Sequence, residues 1–211
     1  MKKNICIIDY GIGNLLSIER SIEKLGYEVK ISNNKSVILE SSHLILPGVG
    51  AFGKAINTIK RLNLDEILNK CAREGKFIMG ICLGMQLLCS QSEEFEMNEG
   101  LNLIPGKVVP LKNLIQKKNI KIPNIGWNNL LKKNEKINYK FYNNISEKDS
   151  FYFIHSFVAK TDKKYEVCNS IYGGTEFQAA IGKDNIYGVQ FHPEKSGESG
   201  LKIINNFINL C

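Results

Sequence analysis

The sequence predicts an α/β fold: a single three-layer domain, residues 1–211, with a central mixed, mostly parallel sheet flanked by helices. Three observations carry this. In the first half, short apolar runs alternate with helical patterns, the signature of parallel strands joined by covering helices. From about Leu101 the texture changes to short strands with turns between them, an antiparallel extension. At 211 residues and 43% hydrophobic composition, the chain can bury one sizeable core.

Taken in order, Asn4 to Asp9 is a buried-type strand, and Gly11-Ile12-Gly13 a tight turn. Leu15, Ile18, Ile22 and Leu25 then recur at helical spacing until Gly26. Tyr27 to Ile31 and His43 to Leu46 read as the next strands, the latter closed by Pro47-Gly48-Val49-Gly50. Helical patterns run from about Ala51 to Lys60 and from Leu64 to Glu74, with Gly75 as the stop, before a strand at Phe77–Met79. The later strand candidates are Leu101–Ile104, Lys107–Leu111, Tyr139–Phe141, Tyr152–Phe157, Glu166–Ile171, Phe177–Ile181 and Ile186–Phe191. An amphipathic helix spans Leu201 to Leu210.

Composition narrows the function. The net charge is +7, yet only Arg20, Arg61 and Arg73 are arginines among 28 basic residues. The lysines are scattered, with small clusters at Lys117-Lys118, Lys132-Lys133 and Lys163-Lys164. This describes a solvated surface rather than a nucleic-acid groove. The six cysteines form no CxxC pair, which argues against a disulfide scaffold or zinc ribbon and fits a reducing compartment. The apolar run Ile5-Cys6-Ile7-Ile8 stops at Asp9, too short for a signal peptide, and no segment has the length of a membrane span. A cytoplasmic protein is expected. Glu93, Glu94 and Glu96 read as an exposed loop, not a metal site.

The stretch with the most chemistry is Gly80-Ile81-Cys82-Leu83-Gly84-Met85-Gln86, between an apolar strand and a run of helix formers. A nucleophile elbow needs glycine two residues before and two after the reactive residue, because strand and helix approach too closely for a Cβ. Gly80 and Gly84 occupy those positions around Cys82. The helix N-terminus beneath Cys82 supplies free backbone N–H groups. Cysteine is more often a core residue than a nucleophile. That reading holds for Cys6, Cys71, Cys89, Cys168 and Cys211, and the flanking glycines reverse it for Cys82.

A catalytic cysteine needs a base, almost always histidine. His43 opens an apolar strand and reads as structural. His192 lies directly after an apolar strand in Gly188-Val189-Gln190-Phe191-His192-Pro193-Glu194-Lys195-Ser196, and strand carboxyl ends are where functional groups gather in open α/β sheets. Glu194, two residues on, can accept the proton of the second imidazole nitrogen and so fix the tautomer. Cys82, His192 and Glu194 thus form a nucleophile, base and orienter. Val49 and Gly50, after the third strand, offer backbone N–H groups that with Leu83 N–H could bind an oxyanion. On local sequence they read equally as a plain turn.

The elbow and the His-Pro-Glu run about a hundred residues later resemble class I (triad-type) glutamine amidotransferases. Four further segments make the chain similar to the glutaminase subunits of imidazole glycerol phosphate synthases. They are Asp9-Tyr10-Gly11-Ile12-Gly13-Asn14, Leu46-Pro47-Gly48-Val49-Gly50-Ala51-Phe52, Gly126-Trp127-Asn128 and Tyr152-Phe153-Ile154-His155-Ser156-Phe157. The resemblance implies a cofactor-free glutaminase in which Gln86 and the Ser156-Phe157 segment grip the amino-acid end of glutamine. It makes His155 a pocket or interface residue. It also implies a heterodimer with a (β/α)8 cyclase subunit that receives the ammonia and makes imidazole glycerol phosphate in histidine biosynthesis. Asp9, Asn14, Asn124, Trp127 and Lys195 would face that partner. The family segment commonly reads Pro-His-Met-Gly-Trp-Asn, whereas this chain has Pro123-Asn124-Ile125-Gly126-Trp127-Asn128.

Asn124 therefore keeps a second acceptor open, an amidino-sugar synthetase fed by a paralogous subunit. A cysteine hydrolase of the same broad fold is a further alternative. Such relatives typically carry histidine right after the elbow cysteine, where this chain has Leu83. An inactive regulatory subunit is the remaining one, and the intact Cys82, His192 and Glu194 argue against it.

Overall fold

The computed structural model describes residues 3–117, 119–132 and 139–210; Lys118, Lys133 and Cys211 lie outside them. The first half alternates β1 (Ile5–Ile8), α1 (Leu15–Lys24), β2 (Val29–Ser32), α2 (Lys35–Glu40), β3 (His43–Leu46), α3 (Phe52–Arg61), α4 (Leu64–Arg73), β4 (Phe77–Ile81) and α5 (Leu83–Leu87). Then come β5 (Gln91–Ser92), β6 (Asn98–Glu99), β7 (Gly106–Pro110), β8 (Asn124–Asn129), β9 (Leu131–Lys132), β10 (Ser150–His155) and β11 (Phe157–Thr161). The chain finishes with β12 (Glu166–Tyr172), β13 (Thr175–Lys183), β14 (Ile186–Val189) and α6 (Gly197–Ile208).

Among the described residues, eight strands form the central sheet in the order β2-β1-β3-β4-β14-β13-β12-β9. The first five run parallel and the remaining pairings are antiparallel. The mixed, mostly parallel sheet is therefore as expected. β1 and β3, inside the parallel half, are buried on both faces because helices cover both. Ile5, Ile7 and Ile45 join one core cluster with α1 and α6, while Cys6, Ile8, Leu44 and Leu46 join another with α3 and α4. That period-two split gives the three layers. No described helix is long and apolar enough to cross a membrane.

Three expectations need correction, and two elements were not expected. Leu101–Ile104 is not a strand: the N–H groups of Leu101, Leu103 and Ile104 donate to Leu87 and Leu88 carbonyls (2.9, 2.9 and 3.0 Å), capping α5. Tyr139–Phe141 is instead part of a 3₁₀ turn, Tyr139–Tyr142, in which the Phe141 ring stacks on Tyr187 at 4.9 Å. The Tyr152–Phe157 run divides at Ser156. The part before it pairs with β8, and the part after it pairs with β7 in a separate sheet of order β11-β7-β5-β6. The unexpected elements are α2 and β8, which carry no strong periodic signal; α2 is N-capped by Asn34, whose side chain accepts from Ser36 N at 2.9 Å.

Candidate active site

The parallel strands end at one edge, and the loops there build a cavity of about 440 Å³ lined by Val49, Gly50, Cys82, Leu83, Gln86, Glu94, His155, Ser156, Phe157, His192 and Lys195 among others. Cys82 sits between β4 and α5 with φ 55° and ψ −109°. An L side chain at positive φ is strained and persists only where its surroundings over-determine it. Here they do. Cys82 N–H donates to Val189 O at 2.7 Å, which locks the elbow to β14, and Cys82 O accepts from Gln86 N at 3.2 Å.

The flanking glycines are there for clearance. A Cβ on Gly80 would lie 2.5 Å from the Gly84 carbonyl, and one on Gly84 would overlap Leu46 O. Both obstacles are backbone, so Gly84→Ala must push α5 off β3. We expect it to destabilise the protein by about 3 kcal/mol in chemical denaturation, the upper range for overpacking. A variant within about 0.5 kcal/mol of the parent, the range of neutral surface changes, would show that the elbow is looser than this.

His192 follows β14, and its main-chain N–H donates to Tyr152 O at 2.9 Å. Its Nδ1 lies 2.8 Å from Glu194 Oε1, and both side chains are buried. Glu194 is acceptor-only when ionised, so Nδ1 carries the proton and Nε2 is left for chemistry. Nε2 closes no aligned hydrogen bond among the described residues. Burial alone would lower the His192 pKa. The neighbouring Cys82 sulfur and the Glu194 carboxylate outweigh it and raise it to about 10.

His155 is different. Its Nδ1–H donates to Phe157 O at 3.0 Å, and its Nε2 accepts from the Asn124 amide at 3.0 Å. With both nitrogens engaged and burial pushing its pKa down to about 4, it is a neutral pocket residue and no base. His43 stacks on Phe77 at 5.1 Å, and burial holds its pKa near 4 too. Burial also raises the Cys6, Cys71, Cys89 and Cys168 thiols, to about 11, 12 and 12 for Cys6, Cys89 and Cys168. These four are core residues.

The segment carrying Val49 and Gly50 is tied at both ends. Tyr10 donates its hydroxyl to Pro47 O at 2.7 Å, and Phe52 N–H donates to Glu94 Oε2 at 2.6 Å. Glu94 is therefore not an exposed loop residue. It is buried on the pocket wall, at the start of α3, where a carboxylate complements the free N–H groups. Gln86 is buried as well, and its Nε2 donates to Phe157 O (3.1 Å) and to Gln190 Oε1 (3.0 Å).

The proposed partner-facing residues divide. Trp127 is half exposed and packs edge-on against Tyr152 at 5.8 Å, while Lys195 Nζ lies 5.8 Å over the same ring. Asp9 and Asn14 occupy the loop after β1, where Asp9 Oδ1 accepts from Gly11 N and Asn14 Oδ1 from Ser17 Oγ. Asn124 does not face outward: it is 1% exposed, its amide donates to His155 Nε2, and its Oδ1 accepts from Asn128 Nδ2 at 3.5 Å. Glu94 and Gln190 are the site residues that sequence reasoning missed. Gln190 stood within the His-Pro-Glu motif, but nothing local linked it to Cys82.

The chain matches the glutamine amidotransferase class-I family model over residues 6–210. It is 43% identical to imidazole glycerol phosphate synthase subunit HisH of Lactococcus lactis, across 98% of each chain. It is 41% identical to subunit HisH 1 of Legionella pneumophila, across 98% of this chain and 99% of that one. In structure it is similar to PurLQS from Thermotoga maritima (TM-score 0.75, 22% identity, 99% of both chains). It is also similar to the glutaminase domain of CTPS from Trypanosoma brucei (TM-score 0.62, 15% identity, 97% of this chain and 93% of that one). At those identities the structures speak for the fold, and the sequence relatives for the narrower kinship. The chain belongs to the class-I glutamine amidotransferases and, within them, to the family of imidazole glycerol phosphate synthase HisH subunits.

Proposed function

We propose that this protein hydrolyses glutamine at Cys82 and delivers the ammonia to a cyclase subunit, as the glutaminase half of an imidazole glycerol phosphate synthase. The observation that carries this reading is a cysteine at a strained elbow, sharing one cavity with His192, whose Nδ1 is paired with the buried Glu194 carboxylate at 2.8 Å.

The residues divide the work as follows. The Cys82 thiolate adds to the side-chain amide carbon of glutamine, and the Leu83, Val49 and Gly50 N–H groups take the charge developing on oxygen. Protonated His192 gives its Nε2 proton to the departing nitrogen; the C–N bond breaks, ammonia leaves and a γ-glutamyl thioester remains. Acylation removes the sulfur's negative charge, and with it a main support of the imidazolium. His192 then takes a proton from water, hydroxide attacks the thioester, the C–S bond breaks and glutamate is released. At the far end of the pocket, both Gln86 amide protons are used, so its oxygen remains as an acceptor. With the Glu94 carboxylate it suits the α-ammonium group of an amino acid.

Ammonia released to water is protonated and lost, so a glutaminase of this kind needs a synthase docked at its mouth. Beside the pocket, Ile125 and Trp127 on β8 lie across from Ile154 and Tyr152 on β10. Ile125, Trp127 and Ile154 are 57%, 56% and 40% exposed, an apolar patch of the kind that marks interfaces. We assign this face to the (β/α)8 cyclase subunit, in a heterodimer located in the cytoplasm. Asn124 bears on that contact through His155 and β8, not through its own surface.

A glutamine-mimicking diazoketone tests the reading directly. It should alkylate Cys82 alone, as read by peptide mass spectrometry, and excess glutamine should protect. Modification at another cysteine, or none, would count against it.

A further inference from the structure

Gln190 is fully buried, one residue beyond β14 and two before His192. Burying a carboxamide is unfavourable unless both of its ends are hydrogen-bonded. An apolar side chain would fill the same space at no such cost. Both ends of Gln190 are engaged: its Oε1 accepts from Gln86 Nε2 at 3.0 Å, and its Nε2 donates to Cys82 Sγ at 3.6 Å.

The direction of this chain follows from chemistry. Phe157 O can only accept, so the Gln86 group 3.1 Å away must be its NH₂. The same NH₂ meets Gln190 and requires an oxygen there, which turns the Gln190 NH₂ toward the sulfur. Besides His192, the sulfur has two polar contacts among the described residues, and they differ in kind. Ile154 O, at 3.9 Å, can partner only the thiol, whereas the Gln190 N–H can partner the thiolate that attacks.

We infer that Gln190 is a positioning residue for Cys82, holding the ionised sulfur toward His192 and being held itself by Gln86 on the pocket wall. One hydrogen bond thus joins the residue that meets the amino-acid end of the substrate to the residue that aims the nucleophile. This role rests on the glutaminase reading for its effect on turnover, but not for its effect on the sulfur.

The test uses the full chain carrying Gln190→Met, which keeps length and apolar bulk, and Gln190→Glu, which keeps the acceptor for Gln86 and removes the donor. Three quantities are read: steady-state glutamine hydrolysis, the rate of Cys82 alkylation by iodoacetamide, and the thermal midpoint. Loss of one hydrogen bond to a charged group corresponds to about 10- to 100-fold. We expect kcat and the alkylation rate both to fall by about that factor in the methionine variant, with KM changed less and the midpoint near that of the parent, and to fall at least as far in the glutamate variant, where a carboxyl group also faces the sulfur. Alkylation and kcat within about twofold of the parent in the methionine variant would overturn the role, since that is below the effect of one such bond. So would losses that appear only in step with a falling midpoint, which would mark a packing residue. Should the parent chain hydrolyse no glutamine, the glutaminase reading fails, and the alkylation rates alone decide the proposal.

Discussion

Cys82→Ala should abolish glutamine hydrolysis, by on the order of 10⁴-fold or more, while the assembled complex still makes product from free ammonium. The first half follows from the absence of any substitute nucleophile at the elbow. Cys89, the nearest other cysteine in sequence, is fully buried with its thiol raised to about 12, and it does not line the cavity. The second half follows from the main chain. The elbow is set by Cys82 N–H on Val189 O and by the clearances at Gly80 and Gly84, none of which involves the thiol. Alanine meets the same positive φ without added bulk. Steady-state rates with glutamine and with ammonium salts check both halves. Loss of the ammonium-dependent rate as well would make Cys82 structural.

Glu194→Gln should lower kcat by about 10²- to 10⁴-fold and move the alkaline limb of the pH profile to lower pH. Burial works against a charged His192, and the Cys82 sulfur and Glu194 carboxylate hold its pKa up at about 10. Because the folded value exceeds the ordinary one near 6.5, the stabilisation tied to the imidazolium is fully present below about pH 6.5. It is lost as pH rises through about 10. Replacing the carboxylate by a neutral amide removes one of the two supports, so the imidazolium titrates earlier and the window narrows from its alkaline side. A profile of log kcat/KM against pH reads this; an unmoved alkaline limb would show that Glu194 does not set the charge of His192.

Much of this was legible in the sequence, for identifiable reasons. The parallel half was readable because β1, β3 and β4 are short apolar runs closed by turns that contain glycine or proline. His43–Leu46 matches β3 to the residue. The Cys82 elbow and the His192–Glu194 pair were readable because their geometry is local: two glycines in one case, a two-residue step in the other. Where meaning depends on distant partners, the sequence was silent. Leu101–Ile104 has the composition of a strand, and only the carbonyls of α5 turn it into a cap. Glu94 resembles its exposed neighbours until Phe52 N–H meets it, and Asn124 looks like a surface residue until His155 does. Gln190 acquires its role from Gln86 and Cys82, more than a hundred residues earlier.

The central claim is most directly tested by glutamine hydrolysis of the purified chain, alone and with the cyclase partner plus its phosphoribulosyl ligand. Strong stimulation by the two together is the predicted result, since the apolar face around Trp127 and the pocket wall meet on β10, which carries Ile154 and His155. A folded chain that hydrolyses glutamine equally with and without them would contradict the assignment, and would make the amidino-sugar synthetase the next partner to assay.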